Sequence, residues 1–466
     1  SRPASIFVCQ SCGAQTRQFF GRCSSCGSWN SLIEQTAPKH DGRRRRAPAE
    51  SAKAPVARRS TAMADLGDRP IQRLESGYPE LDRVLGGGVV PGSLVLVGGD
   101  PGIGKSTLLL QSASVMANRL SVLYVSAEES AQQVKLRWLR LGGESEGLQL
   151  LAETDLELVL EELEALQPDV AIIDSIQALH DANLSSAPGS VAQVRECAAS
   201  LQRLAKRQNT ALLLVGHVTK EGMLAGPKVL EHLVDAVLTF EGDRFASHRL
   251  LRAVKNRFGA THELGVFEMQ GQGLVEVNNP SELFLSGDEA SGVATIVACE
   301  GTRPLVVDLQ ALVSTTSYAS PRRTATGIAV NRLHQILAVL EKHMGLPLSR
   351  FDCYLAVAGG LDVEEPAADL GVAAAVVASY RDLILPAGTV LLGELGLGGQ
   401  LRPVGQLELR LQEAVRLGFR RAVVPKGCGL GIGEASLNLE LHEAGSITEA
   451  LVLALGVNPA DHDHDA

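Results

Sequence analysis

The sequence predicts an α/β protein: a parallel sheet bearing a nucleotide-binding loop, with a small metal-stapled module ahead of it and a second α/β unit behind. From about Leu66 onward, short apolar runs alternate with helical stretches, the pattern of βαβ units. Residues 93–107 read as strand, glycine-rich loop and helix in succession, and two CxxC pairs lie close to the start of the chain.

With 466 residues, 45% of them apolar and 21% charged, two or three globular domains are expected. No apolar run approaches the roughly 18 residues of a membrane span. The first residues show neither a secretory apolar core nor a cleavage site, so a cytoplasmic protein with no membrane partner is expected.

Cys9 and Cys12 form one CxxC turn, Cys23 and Cys26 another, each followed by glycine (Gly13, Gly27). Two such turns bring four thiolates onto one tetrahedral Zn²⁺. About 30 residues cannot bury enough apolar surface to fold alone, so residues 1–35 are read as a four-cysteine zinc finger. Disulfides or a catalytic dithiol are the alternatives. Residues 36–62, rich in Pro, Ala and Arg, are read as a basic flexible linker. Residues 1–60 hold eleven Lys and Arg against Glu34, Asp41 and Glu50, a net +8 on a chain whose total is −10. A basic arm on an acidic body suits contact with a polyanion; a solvated tether is the other reading.

Residues 63–280 are the expected ATPase block. Strands are expected at 93–97, 121–125, 170–174, 211–215 and 235–240, and helices at 105–118, 156–166 and 191–207, giving a parallel sheet covered on both faces. Gly99, Asp100, Pro101, Gly102, Ile103, Gly104, Lys105 and Ser106, followed by Thr107, fit GxxxxGK[ST] at every defined position. Glycines let backbone N–H groups converge on phosphates, Lys105 reaches the β- and γ-phosphates of ATP, and Ser106 ligates Mg²⁺. Asp174 ends an apolar strand and is the second expected Mg²⁺ ligand. Glu128, at the end of the strand after the loop helix, is the candidate base for water, with Glu129 beside it as the alternative.

Together these residues, with Lys255, Asn256, Arg257, Phe258 and Gly259, resemble the bacterial RadA (Sms) family, relatives of RecA. The pentapeptide Lys255–Gly259 is that family's own signature. The resemblance covers essentially the whole chain and implies a RecA-like P-loop core in a homo-hexamer. It further implies an ATP-driven motor on single-stranded or branched DNA, with helicase or branch-migration activity, acting with RecA in recombination and repair. Lys255 and Arg257 follow the strand-like stretch 248–254, which would end at a subunit edge, and could act as a finger in a neighbour's ATP site. Two solvated basic residues are the alternative. His217 resembles the polar sensor of RecA-like proteins. The segment 220–228, with Lys220 and Lys228, and the segment 180–190 are expected as DNA-facing loops.

The remainder, 288–457, resembles the proteolytic domain of Lon, ahead of a disordered tail, 458–466. The positions matching the Lon serine and lysine are Asp369 and Glu408, a pair that cannot perform acyl transfer. A scaffold is expected there instead, with Arg322 and Arg323 as an exposed basic pair for DNA. Competing readings are an ATP-controlled DNA-binding switch without translocation, an ATP-dependent protease, and a self-phosphorylating KaiC-type ATPase.

Overall fold

The computed structural model describes residues 5–9, 15–16, 18, 20–23, 29, 32–36, 72–217, 227–242, 248–287, 289–318, 320–428 and 438–456. Cys12, Cys26 and Lys220 lie outside these residues, as do the sequence-predicted linker from residue 37 onward and the tail. By compactness the chain divides between Glu276 and Val277.

At the start of the first unit, β1 (Ser5–Cys9), β2 (Gln15–Thr16) and β3 (Leu32–Thr36) form an antiparallel sheet in the order β2-β1-β3. Cys9 faces Leu32 across it, and Cys9, Cys23 and Leu32 are buried together against Phe7.

The main body follows with α1 (Pro79–Leu85), β4 (Leu94–Gly99), α2 (Lys105–Met116), β5 (Val122–Ser126), α3 (Ala131–Arg140) and β6 (Leu148–Ala152). Next come α4 (Leu156–Leu166), β7 (Val170–Asp174), α5 (Val191–Gln208), β8 (Ala211–Val215), α6 (Pro227–Leu230) and β9 (Ala236–Glu241). Three more strands, β10 (His248–Asn256), β11 (Leu264–Gln270) and β12 (Gly273–Glu276), complete a nine-stranded sheet ordered β12-β11-β10-β9-β4-β8-β7-β5-β6. Side chains alternate across it: Val95 and Val97 of β4 join the core under α1 and α2, Leu94 and Leu96 the core under α4 and α5.

The sheet is mixed rather than purely parallel. β9, β4, β8, β7, β5 and β6 run parallel, but β10, β11 and β12 add on antiparallel. Few residues separate each of β9, β10, β11 and β12 from the next, too few for the crossover that a parallel pair needs. Neither α3 nor β6 is among the sequence-predicted elements, although α3 opens with a capping box, Ser130 and Gln133.

In the second unit, β13 (Val293–Glu300), β14 (Arg303–Thr315), β15 (Arg323–Thr326) and β16 (Phe351–Val357) form a sheet ordered β13-β14-β16-β15, with α7 (Val330–Met344) between β15 and β16. The helix α8 (Asp369–Arg381) is buried along its first ten residues, which explains its Ala/Val-rich sequence. β17 (Thr389–Leu391) pairs in parallel with a later strand, β20 (Arg421–Pro425), which pairs with β21 (Glu440–Ala444). Between β17 and β20 lie the hairpin β18 (Glu394–Leu395) and β19 (Leu401–Arg402), then α9 (Leu407–Arg416). The polar stretch 278–287 belongs to this unit's core: Phe284 is fully buried, and Ser281 donates to Glu413.

Candidate nucleotide site

The carboxyl ends of β4, β5, β7 and β8 share one edge of the sheet, where open α/β folds place their ligands. β4 runs out at Gly99 and the chain turns into α2. Gly99 (φ +146°) and Gly104 (φ +121°) adopt backbone angles that disfavour side chains. A Cβ on Gly104 would also lie 3.0 Å from the side chains of Leu274 and Met269. Ser130, Asp155 and Ser190 cap α3, α4 and α5, whereas α2 starts with no side-chain cap. Its first N–H groups are left for an anion.

Lys105 is buried, and its Nζ donates to the carbonyls of Gly99 (2.8 Å) and Asp100 (2.9 Å). Burial lowers its pKa, while Asp174, Asp100 and Glu128 act the other way. Ser106 Oγ donates to Asp174 Oδ1 at 3.0 Å, so the two expected Mg²⁺ ligands meet. Both are hard oxygen donors, the set that suits Mg²⁺. The other Asp174 oxygen, Oδ2, accepts from the buried hydroxyl of Tyr124 at 2.5 Å. Arg137 joins from α3, 2.7 Å from Glu129 and 3.6 Å from Asp174.

Glu128 Oε1 accepts from Ser175 Oγ and lies 3.1 Å from His217 Nε2. The His217 contact is the main cause holding the Glu128 carboxyl below its usual range, so it is ionised at neutral pH. The Asp174–Ser175 peptide bond is cis. Lys105, Ser106, Glu128, Glu129, Arg137, Asp174 and His217 converge on one cavity of about 360 Å³. A neighbouring cavity of about 430 Å³ is larger but mostly apolar, walled by Leu110, Tyr124, Trp138, Leu148 and Leu150 among others. Convergence of opposite charges, not size, marks the chemical site.

Sequence reasoning missed Tyr124, Arg137 and Ser175. Tyr124 looks like any strand residue, and Arg137 lies eight residues past Glu129, on a helix that was not expected. Only the register of β5 against β7, which sets Ser126 beside Asp174, brings them in.

Lys255 and Arg257 are elsewhere. β10 runs antiparallel to β9, so Lys255 pairs with Val237 and Asn256 with Ala236, while Gly99 pairs with Phe240 at the other end of β9. Lys255 is also a strand residue, not one after the strand, and β10 lies inside the sheet, two strands from its edge. Its Nζ donates to the carbonyls of Val234 (2.8 Å) and Glu231 (2.5 Å); Arg257 pairs with Asp235 at 3.0 Å. Asp235 Oδ2 in turn accepts from Leu94 N, at the start of β4. Asn256 Nδ2 donates to the carbonyls of Val84 (3.3 Å) and Leu85 (3.1 Å), closing the end of α1. A Cβ on Gly259 would lie 3.0 Å from Gly86 Cα, so this glycine permits close backbone packing. Four of the five signature positions, Lys255, Asn256, Arg257 and Gly259, thus make contacts within their own fold.

In the second unit, Asp369 is buried and bound by Arg332 through both carboxylate oxygens, with Leu395 N donating to Oδ2 at 2.9 Å. Glu408 is exposed and accepts from Gln412. The two Lon-like segments do meet, through Glu365 and Arg410, whose bidentate contacts are 2.6 and 2.5 Å. No hydroxyl or amine nucleophile is part of either pair. Arg322 is exposed and stacked on Tyr318 at 3.7 Å, but Arg323 is not its exposed partner: its guanidinium is spent on the carbonyls of Leu348 (2.8 Å) and Phe351. Of the other predicted DNA contacts, Lys228 is the second residue of the short α6, and the segment 180–190 is pinned by Gln193, whose amide donates to the carbonyls of Asp181 and Ser186.

Residues 59–223 match the family described as AAA domain, and residues 7–34 the family described as rubredoxin metal binding domain. The DNA repair protein RadA of Synechocystis is 57% identical over 97% of this chain and 94% of its own length. The proteins of that name from Listeria monocytogenes (51% identity, 90% of this chain and 92% of that one) and Bacillus subtilis (46%, 98% and 100%) are similar throughout as well. No helix among the described residues is long and apolar enough to cross a membrane. With an AAA-type ATPase domain behind a rubredoxin-like ribbon, and relatives alike over nearly its full length, this chain belongs to the RadA family of DNA repair proteins.

Proposed function

We propose that this chain is an ATP-driven DNA motor, a helicase or branch-migration enzyme that processes recombination intermediates alongside RecA. It works in the cytoplasm as a homo-hexameric ring on single-stranded or branched DNA. The observation that carries the reading is the Glu128–His217 contact: the candidate base touches the residue from which the chain enters the predicted DNA-facing segment.

Lys105 and the N–H groups of the loop would hold the phosphates of ATP, and Ser106 and Asp174 the Mg²⁺. Bound there, Mg²⁺ neutralises charge on the phosphates. Glu128, kept ionised by His217 and Ser175, accepts a proton from the attacking water. A shift of His217 would change the hydrogen bonds on that base, which couples DNA contact to hydrolysis. Lys255 and Arg257 lie at the wrong end of the sheet for their own site, so their finger role requires a neighbouring subunit. Cys9, Cys12, Cys23 and Cys26 hold Zn²⁺; the buried Cys9 and Cys23 fit a thiolate site. The Lon-like unit is a scaffold without protease activity, since Asp369, held by Arg332, and Glu408 stand at the positions matching the Lon serine and lysine.

A forked-DNA unwinding assay with and without RecA tests the motor. ATP-dependent strand displacement, lost in Lys105→Ala, is expected. DNA-stimulated hydrolysis without displacement would favour the switch. Mixing Lys255→Ala with Lys105→Ala subunits should restore part of the hydrolysis that each lacks; no rescue rejects the shared site.

A further inference from the structure

We infer that Tyr124 is a positioning residue for the metal carboxylate: its hydroxyl, backed by Arg137, fixes Asp174 so that the oxygen beside Ser106 is the one presented to Mg²⁺. This rests on the reading of Ser106 and Asp174 as the Mg²⁺ ligands.

An aspartate at a strand end has a broad, two-fold torsion at its carboxylate, so on its own either oxygen could face the loop. Here the oxygens have unlike partners. Oδ1 accepts from Ser106, a residue of the phosphate loop itself, at 3.0 Å. Oδ2 accepts from Tyr124 Oη at 2.5 Å, and Arg137 Nη2 lies 3.6 Å from the same oxygen. The same nitrogen donates to Tyr124 Oη at 3.4 Å, while Nη1 reaches Glu129 at 2.7 Å. Oδ2 is thereby committed to the protein, and Oδ1 is left with a partner that can share a metal.

The position of the hydroxyl is set by aromatic packing. Tyr124 is fully buried on β5, and its ring walls the apolar cavity with Leu110, Val134, Trp138 and Leu148. Arg137 also separates carboxylates: Glu128, Glu129 and Asp174 all face the nucleotide cavity, and Arg137 pairs with two of the three. Groups that orient a metal-binding carboxylate typically change metal affinity by about 10–100-fold when removed.

Tyr124→Phe deletes one oxygen and keeps the ring. The test uses the full-length chain with a non-hydrolysable ATP analogue, titrated with Mn²⁺ and followed by electron paramagnetic resonance. Tyr124→Phe should weaken Mn²⁺ binding about tenfold, while analogue binding in metal-free buffer stays as in the wild type. Arg137→Gln should weaken Mn²⁺ binding in the same direction, and Arg137→Lys should recover part of the loss. Asp174→Asn serves as the reference. If it leaves Mn²⁺ binding intact, the metal-site reading itself fails. If Asp174→Asn abolishes binding while Tyr124→Phe binds Mn²⁺ like the wild type, the inference alone is overturned. A lowered melting temperature with unchanged Mn²⁺ affinity overturns it too, because that is what a packing role would give.

Discussion

Asp174 in the first unit and Asp369 in the second are both buried aspartates in segments that resemble the chemical sites of known enzymes, yet their partners differ in kind. Both oxygens of Asp174 accept from neutral hydroxyls, and its nearest cation is 3.6 Å away. Asp369 is gripped through both oxygens by Arg332. A hydroxyl can share its acceptor with a metal at small cost, whereas a bidentate guanidinium already supplies the positive charge and fills the geometry. Burial alone therefore says little about whether a carboxylate works. What matters is whether its partners can be exchanged.

The largest effects should come from the first site. Lys105→Ala should lower ATP hydrolysis by about 10³-fold, measured as phosphate release, because it removes a fixed cation from the transferring phosphoryl group. Glu128→Gln should cost roughly 10²-fold or more with ATP binding retained, as expected for loss of a general base. Neither variant should unfold the chain.

Asp369→Ala should behave oppositely. Hydrolysis should stay within about twofold of wild type, while the stability of the second unit falls by roughly 2–3 kcal/mol in denaturant melts. That is less than for a fully buried pair, because Arg332 is 30% exposed. If Asp369→Ala instead abolished activity and left stability intact, the contrast drawn between the two aspartates would collapse.

Smaller effects sharpen it further. The Glu128 carboxyl is held below its usual range chiefly by His217, so it stays ionised as pH falls to that lower value. In His217→Ala the main cause is gone, its pKa rises, and the acid limb of kcat/KM should move to higher pH. An acid limb that does not move would detach His217 from the base. The smallest signal is chemical. Burial pushes the Cys197 thiol up to about 12, so native protein should resist alkylation there at pH 8. Mass spectrometry before and after unfolding would show it.

Much of the first site was legible from sequence because it is local. Gly99–Ser106 carries its strand, loop and helix with it, and the strand ending in Asp174 and the helices expected at 156–166 and 191–207 stand out by period alone. What escaped depends on register. Nothing near Tyr124 says that its hydroxyl will meet a residue 50 positions later, or that Arg137 will balance two carboxylates. The stretch 248–254 was legible as a strand, but β11, β12 and the antiparallel pairing of all three escaped because the alternation rule that finds βαβ units is silent about hairpins. Arg323 misled for a related reason: a polar, Pro-rich neighbourhood looks exposed, but its guanidinium is used up on the carbonyls of Leu348 and Phe351, at the entry to β16.

Asp235 joins two things that sequence keeps far apart. One of its oxygens holds the first N–H of the strand that carries the phosphate loop, and the other holds the half-exposed Arg257. That strand is only six residues long. Arg257 is tied to the base of the phosphate-loop strand through a single carboxylate, and losing Asp235 would release both at once.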